Sequence, residues 1–465
     1  MISPVDISRG PELIPKWVPV LLLPVDFDAN HFTAAMDNVV RNPGINSTIL
    51  LRADVYLEYT FQAGIHLNNL SSLDESWLKI NPNDTSPRLE PISGWEIDRY
   101  MVRRNIPRNP CRDAIVNQTC VFYTNKLGDC FLAYYPHCTL EEIPFYLPKS
   151  MGVGIFYSSH THCISVHYMH IAASELHPST RLSRIALHLL NTAAKHSKGI
   201  KNGYQKRVHH DMIVGRNAFQ DRYILLKQKY APSLLENWVE STDPYKHVFE
   251  DLGIAAFLIE LWSKLYPSND FEFVDLGCGN GLLVNVLISE GYKGKGIDIR
   301  RRKSWDTYCP EVQQSMQCGI VVPQVLDFSV TTELQVFKIG ETRPKISKKF
   351  LIGNHSDELT LWLPLFGCPF MVIPCCSHAL TGEKVRFAGN KSTYQALVDK
   401  VLQVSEQAGW KPEVEYLRIP STRNAAIIGR KIQDPNVDIK SLVCHLDGNQ
   451  WIHAGEKLMK AKGSH

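Results

Sequence analysis

Hydrophobic and polar positions divide the chain into an irregular half and a regular half. From residue 245 onward, apolar runs of strand length alternate with stretches of helical spacing. Residues 245–266 (YKHVFEDLGIAAFLIELWSKLY) place apolar side chains at helical intervals and predict a helix with a buried face. Residues 271–276 predict a short strand that runs into glycines, 282–290 a helix and 294–299 the next strand. Residues 324–328 (QVLDF) predict a third strand, 349–352 a fourth and 370–373 a fifth. Residues 392–407 predict a helix that stops at Gly409. Two late strands, 414–419 and 425–431, follow with no helix between them. Strands alternating with helices predict an α/β fold built on a mainly parallel, doubly wound sheet.

The first half follows no such rhythm. Strand-like patches at 47–59, 118–124, 130–135 and 163–169 stand between proline and asparagine turns. Residues 182–194 have helical apolar spacing, and 81–87 (NPNDTSP) compose a loop. The expectation is a mixed α+β region over 1–240, a regular α/β domain over 241–435 and a tail over 436–465. The domain boundary is placed just before the Asp243-Pro244 turn.

Composition narrows the classes. Of 465 residues, 44% are hydrophobic and 21% charged, which excludes a mainly disordered or fibrous chain. Lys and Arg total 50 against 47 Asp and Glu, a net +3, which excludes a uniformly basic nucleic-acid coat but hides local clustering. The twelve cysteines include no C-x-x-C pair and do not space like a secreted disulfide scaffold. Residues 1–9 lack a charged-then-apolar leader, and the apolar run 17–25 is broken by Pro19 and Pro24, well short of the ~20 residues that span a bilayer. The expectation is a soluble cytoplasmic protein with no membrane partner.

The sharpest motif is Val274-Asp275-Leu276-Gly277-Cys278-Gly279-Asn280-Gly281. An apolar strand enters three spaced glycines and a helix follows, at the strand end where ligands of open α/β sheets bind. The spacing G-x-G-x-G differs from the pyrophosphate fingerprint, and Asp275 beside it would repel a pyrophosphate. Asp275 suits a cationic amino-acid group, such as that of S-adenosylmethionine. Asp298, with Ile299, ends the next strand, where a carboxylate accepts hydrogen bonds from both ribose hydroxyls of a nucleoside. Asp327 and Phe328 end the expected third strand, suited to an adenine amino group and ring; a solvated strand-end acid is the plainer alternative.

The fourth strand runs into Asn354-His355-Ser356-Asp357. Its carboxyl end should face a transferred methyl group, which makes Asn354, His355 and Asp357 the catalytic candidates. A helix cap at Ser356 or Asp357 is a second reading, and both roles are compatible. The fifth strand ends at Pro374-Cys375-Cys376-Ser377-His378, read as pocket lining because two adjacent thiols lack the four spaced ligands of a zinc site. The upstream set Cys130, His137, Cys138, His160, His162, Cys163, His167 and His170 also lacks zinc spacing. No metal is expected.

Charge clusters bring in a partner. Residues 195–230 hold nine basic residues, Lys206 and Arg207 among them, against Asp211 and Asp221, a net of nine minus two, +7. Arg300, Arg301, Arg302 and Lys303 follow the second strand directly, and four more cations lie between 343 and 349. Such clusters bind phosphate backbones, or else form solvated faces.

Several strings together resemble one family: residues 246–258, FVDLGCGNGLLV at 273–284, EGYKGKGIDIRRRKSW at 290–305, LIGNHSDELTLW at 351–362 and IPCCSH at 373–378. They are similar to the tRNA (uracil-2'-O-)-methyltransferases that modify uridine 44 of serine tRNA in eukaryotes. The late strand pair likewise resembles the seven-stranded, Rossmann-like class I S-adenosylmethionine-dependent methyltransferases. The resemblance implies an S-adenosylmethionine site at Asp275, Gly277, Gly279, Gly281 and Asp298, and a tRNA partner; Cys278 and Asn280 of the same turn complete the cofactor candidates. It does not identify the base, since the Lys-Asp-Lys-Glu tetrad of some ribose methyltransferases cannot be laid onto this chain. A methyltransferase acting on another RNA or a protein, and a non-catalytic RNA scaffold, are the alternatives.

Overall fold

The computed structural model describes residues 3–61, 63–67, 86–172, 175–204, 210–323, 334–337, 348–387 and 392–451. The chain forms two compact units, 1–206 and 207–465.

The first unit is an antiparallel sheet with two helices. Its strands are β1 (Val5–Asp6), β2 (Trp17–Pro24), β3 (Leu50–Thr60), β4 (Gly64–Leu67), β5 (Glu96–Pro107), β6 (Val116–Thr124), β7 (Cys130–Pro136), β8 (Gly152–Ser158) and β9 (Cys163–Met169). They run in the order β1-β2-β9-β8-β7-β6-β5-β3-β4. Helix α1 (Ala29–Arg41) begins where the Asp28 side chain accepts from the Asn30 and His31 amides, and α2 (Arg181–Lys201) where Thr180 accepts from Ser183. Both bury apolar faces with the sheet, Phe32, Met36 and Val40 from α1 and Ala186, Leu190 and Ala193 from α2.

Strand β5 departs from the sequence reading, which saw no strand there. Its polar run Arg103-Arg104-Asn105 breaks the apolar pattern yet is buried. Arg103 lies over the Tyr134 ring and donates to Gln118 Oε1 at 2.7 Å and to the Val40 carbonyl, so the guanidinium is satisfied inside the sheet.

The second unit holds a seven-stranded sheet. Helices α3 (Arg216–Glu236) and α4 (Pro244–Leu265) precede β10 (Glu272–Leu276), α5 (Leu282–Ser289), β11 (Gly294–Asp298), α6 (Pro310–Gln314) and β12 (Met316–Cys318). A separate parallel pair, β13 (Ile320–Pro323) and β14 (Leu334–Phe337), comes next. Then follow β15 (Lys349–Asn354), β16 (Phe370–Ile373), α7 (Thr393–Gln407), β17 (Glu413–Tyr416), β18 (Ala425–Gly429) and α8 (Ile439–His445). The order is β12-β11-β10-β15-β16-β18-β17. The first five strands are parallel; β18 enters antiparallel to β16, and β17 antiparallel to β18. One face buries Leu252, Ala256, Ile259 and Trp262 of α4 with Phe219 of α3 and Leu287 of α5. The other buries Leu397, Val401 and Val404 of α7 with Trp362, Val443 of α8 and Trp451. The expected third strand at 324–328 lies outside the described residues. The strand beside β11 is Met316–Cys318, too short and polar to signal itself by pattern.

Two expected boundaries are corrected. The units divide at 206 and 207, not near 240. Helix α3 belongs with the second unit because Phe219, Leu226 and Ala231 are buried with α4. Its apolar positions follow no single helical stripe, so the sequence hid it. The expected tail also folds in part. Asp438 caps α8, and Ile439, Val443 and Trp451 are buried.

Gly409 ends α7 as expected, at φ +82°. A Cβ there would stand 2.1 Å from the Asp434 carbonyl oxygen. Gly409→Ala should therefore destabilise the second unit by more than the ~1–2 kcal/mol that a left-handed residue costs alone. A clearly lower melting temperature is expected. An unchanged one would mean that the 434 segment yields freely.

Candidate active site

The glycine turn is fixed by its neighbours. Gly277, Gly279 and Gly281 sit at φ +80°, +54° and +73°, the left-handed region that β-carbons disfavour. The Gly279 amide donates to Asp298 Oδ2 at 2.9 Å and the Arg300 amide to Asp298 Oδ1 at 3.0 Å. From behind, Trp305 Nε1 donates to the Gly279 carbonyl at 2.9 Å, and Ser304 and Tyr308 hydroxyls donate to that of Asn280 at 2.7 and 3.0 Å. Asn280 itself accepts from Leu282 at the start of α5. A Cβ at Gly279 would meet nothing within 4 Å, whereas one at Gly281 would strike Met316. Gly279 thus faces open space, and Gly281 is a packing position.

A cavity of ≈ 620 Å³ opens in front of this turn. Of the expected cofactor residues, Asp275, Gly277, Cys278, Gly279, Asn280, Asp298 and Ile299 line it. Gly281 does not, being enclosed by Trp305 and Met316. Asp327 and Phe328 lie outside the described residues. The wall also includes Gly319, Val321 and Trp451, whose indole donates to the Val321 carbonyl at 3.3 Å.

The adjoining wall comes from the end of β15, the strand paired with β10. Asn354, His355 and Asp357 all line the cavity, as expected. Two residues of α4 join them that sequence reasoning missed, Glu250 and Asp251. The signal was an adjacent acid pair within an otherwise apolar helical run. His355 Nε2 lies 3.1 Å from Glu250 Oε1, and Asn354 Nδ2 donates to Asp251 Oδ1 at 3.0 Å. Among the described residues His355 Nδ1, Asn354 Oδ1 and Asp275 Oδ1 are buried atoms with no hydrogen-bond partner. Asp357 Oδ1 instead accepts from Cys375 Sγ at 2.9 Å. His355 and Asp357 hold positive φ, 56° and 42°, an expense of about 1–3 kcal/mol each for such residues. The helix-cap reading of Ser356 and Asp357 is reduced to a three-residue 3₁₀ turn, Asp357–Leu359, without a side-chain cap.

Burial governs the carboxyls. It pushes Asp275, with Asp251 and Asp298 nearby, well above the usual range. It raises Asp251 from 3.8 to about 7, the Glu250 charge adding to the effect. Burial also works to raise Glu250, but the hydrogen bond and charge of His355, with Ser421 and Lys246 behind them, outweigh it, and the net shift is downward. Between about pH 4 and 7 the folded chain keeps a proton on Asp251 that the unfolded chain has lost. The stability contributed by this group is full below that window, falls through it and stays low above it. Asp251→Asn keeps an oxygen for Asn354 and cannot ionise. In ligand-free protein its melting temperature should gain on wild type between about pH 5 and pH 8. A pH-independent difference would contradict a protonated Asp251.

The expected phosphate contacts divide. Arg300, Arg301, Arg302 and Lys303 are exposed. Arg302 lines the cavity, while Arg301 pairs with Asp306. Lys206 and Arg207 lie outside the described residues. The +7 segment is weaker than its composition implied, because Arg222 pairs with Glu260 and Lys229 with Glu290 from outside the segment. Lys246 and Arg423, unnoticed in the sequence, line the cavity, and Arg423 lies 4.5 Å over the Tyr394 ring.

The N-terminal Cys and His residues form no metal-holding group among the described residues. His137 bonds Thr119 at 2.6 Å, and His167 bonds Ser165 at 2.7 Å. Burial lowers His167 to about 3.

Known proteins resemble both units. The family described as "TRM44-like, N-terminal bet v1-like domain" matches residues 3–207, and "Predicted AdoMet-dependent methyltransferase" matches 213–323. A tRNA (uracil-O(2)-)-methyltransferase of Yarrowia lipolytica is 43% identical, over 98% of this chain and 98% of its own. One from Kluyveromyces lactis is 43% identical over 98% and 97%, and one from Saccharomyces cerevisiae 42% over 89% and 87%. No described helix is long and apolar enough to cross a membrane.

Proposed function

The chain belongs to the tRNA (uracil-O(2)-)-methyltransferase family, and we propose that the cavity between the glycine turn and His355 is where it transfers the methyl group. It is an S-adenosylmethionine-dependent enzyme that methylates the 2'-oxygen of uridine in tRNA. The observation that carries the site assignment is the placement of two unpartnered groups in one cavity: a buried carboxyl oxygen on Asp275 and an imidazole nitrogen on His355.

The residues fit the cofactor. Asp275 Oδ1 lacks a partner and suits an ammonium group, and Gly279 leaves open space for close approach to the backbone. Asp298 would hold the ribose while pinning the turn, with Ile299, Gly319, Val321 and Trp451 around the adenine end. When bound, S-adenosylmethionine supplies an electrophilic methyl on a sulfonium, so the protein's tasks are alignment and management of the acceptor proton.

Glu250 holds the Nε2–H tautomer of His355, which leaves the Nδ1 lone pair to accept the 2'-hydroxyl proton. Asp357 is engaged by Cys375, which favours His355 as the base. Asn354, fixed on Asp251, keeps its Oδ1 for an acceptor hydroxyl. Arg302, Lys246 and Arg423 on the cavity wall are placed for the flanking phosphates.

We assign the sheet to the seven-stranded, Rossmann-like class I arrangement, on the antiparallel entry of β18. We also assign the acceptor as uridine 44 of serine tRNA and the location as the cytoplasm. The strings at 290–305 and 351–362 support the acceptor, and a cysteine spacing without C-x-x-C pairs or a secreted disulfide pattern supports a reducing compartment. Mass-spectrometric mapping of ribose methylation in tRNA from cells lacking the protein tests the acceptor. Loss of a single 2'-O-methyluridine at that position of serine tRNA is expected. An unchanged serine tRNA with loss elsewhere would move the assignment to another tRNA.

A further inference from the structure

Two loops at the carboxyl ends of β15 and β16 converge on one point. One Asp357 carboxylate oxygen and the Sγ atoms of Cys375 and Cys376 all lie within 4.8 Å of one another. Cys375 Sγ already donates to Asp357 Oδ1 at 2.9 Å, across 18 residues of sequence. In the sequence the adjacent thiols and nearby histidine invite a metal reading but fall short of the four spaced ligands, because the third donor comes from another strand end. The neighbourhood offers more than these three groups. His378, 4% exposed, has an Nδ1 with no hydrogen-bond partner among the described residues. Its Nε2 stands 4.0 Å from Glu358 Oε1, on the residue after Asp357.

We propose that Asp357, Cys375 and Cys376 form a binding site for a thiophilic divalent cation of the zinc type. A tetrahedral zinc with its usual bond lengths sets neighbouring sulfur and oxygen donors roughly 3.5–3.8 Å apart. The cluster lies within about an ångström of that spacing, with the Cys375–Asp357 hydrogen bond opening from 2.9 Å as the ion enters. On binding, each thiol loses its proton to solvent and forms a sulfur–metal bond, and the carboxylate contributes an oxygen. Nothing is oxidised or reduced. Three protein donors leave a fourth position, and because Asp357 and Cys375 line the cavity, that position is open to water or to a substrate oxygen. The ion ties the two strand-end loops together and holds Asp357 in its left-handed conformation. The site stands whichever uridine is the acceptor.

The test uses the full-length protein, reduced and stripped with chelator, titrated with Co²⁺ and then with Zn²⁺. The expected result is a thiolate-to-cobalt charge-transfer band with tetrahedral visible bands, saturating at one equivalent and abolished by one equivalent of Zn²⁺. Cys376→Ser, at an exposed position, should weaken cobalt affinity at least tenfold, and Cys375→Ser with Cys376→Ser should remove the band. Replacing the exposed Cys111, Cys309, Cys318 and Cys444 together should leave it intact. A band absent at one equivalent, or one that survives the double substitution, would overturn the site. Should the double variant fail to fold, the Cys376→Ser affinity decides.

Discussion

Replacing His355 by alanine is expected to slow single-turnover methyl transfer by about 10²–10⁴-fold, the span that a positioned general base contributes. The affinity for S-adenosylmethionine should change far less than the rate, because the cofactor contacts are assigned to Asp275, Gly279 and Asp298 and none to His355. The argument rests on the pairing of Glu250 with His355 Nε2 and the unpartnered Nδ1. Glu250→Gln should show a smaller loss, since an amide still bonds the ring but selects the tautomer poorly. Rapid-quench measurement with saturating cofactor isolates the chemical step. Wild-type rates in His355→Ala would remove the residue from the chemistry and return Asp357 as the candidate.

Asp298→Ala should weaken S-adenosylmethionine binding by at least about 100-fold in calorimetry. The carboxylate accepts from both the Gly279 and Arg300 amides. Each hydrogen bond to a charged group contributes about 1.5–3 kcal/mol, and a factor of ten in affinity is about 1.4 kcal/mol. Removing the side chain leaves those two amides without their acceptor, lets the turn relax and deletes the ribose contact as well. The mirror expectation is that methyl transfer at saturating cofactor falls much less than affinity does. Unchanged affinity would sink the assignment of Asp298 to the cofactor.

The legible parts of this protein were those where local chemistry and fold agree. Gly277, Gly279 and Asp298 announce themselves because a turn at a strand end needs glycine and an acidic acceptor within one βαβ unit. Asn354 and His355 were found because polar residues seldom follow an apolar strand without cause. Glu250 and Asp251 were hidden by their setting: on a helix apolar nearly all round, two acids read as a solvated edge, and only tertiary packing turns them into the site. Strand β5 was hidden by the reverse effect, since Arg103 is a polar residue whose partners, Gln118 and the Val40 carbonyl, are distant in sequence. The basic segment misled because composition counts charges within a window, whereas Glu260 and Glu290 answer Arg222 and Lys229 from outside it.

The cavity wall begins at Glu240 and is completed by Trp451. Protein synthesis runs in that same direction, and domains generally fold in order of emergence. The first unit can fold as soon as it leaves the ribosome, but the donor pocket has no far wall until residue 451 has been made. A nascent chain short of that residue offers the methyl donor a pocket that lacks its Trp451 wall. A chain released short of Trp451 would carry the glycine turn and the β15 wall but leave the pocket open on the side that the indole covers.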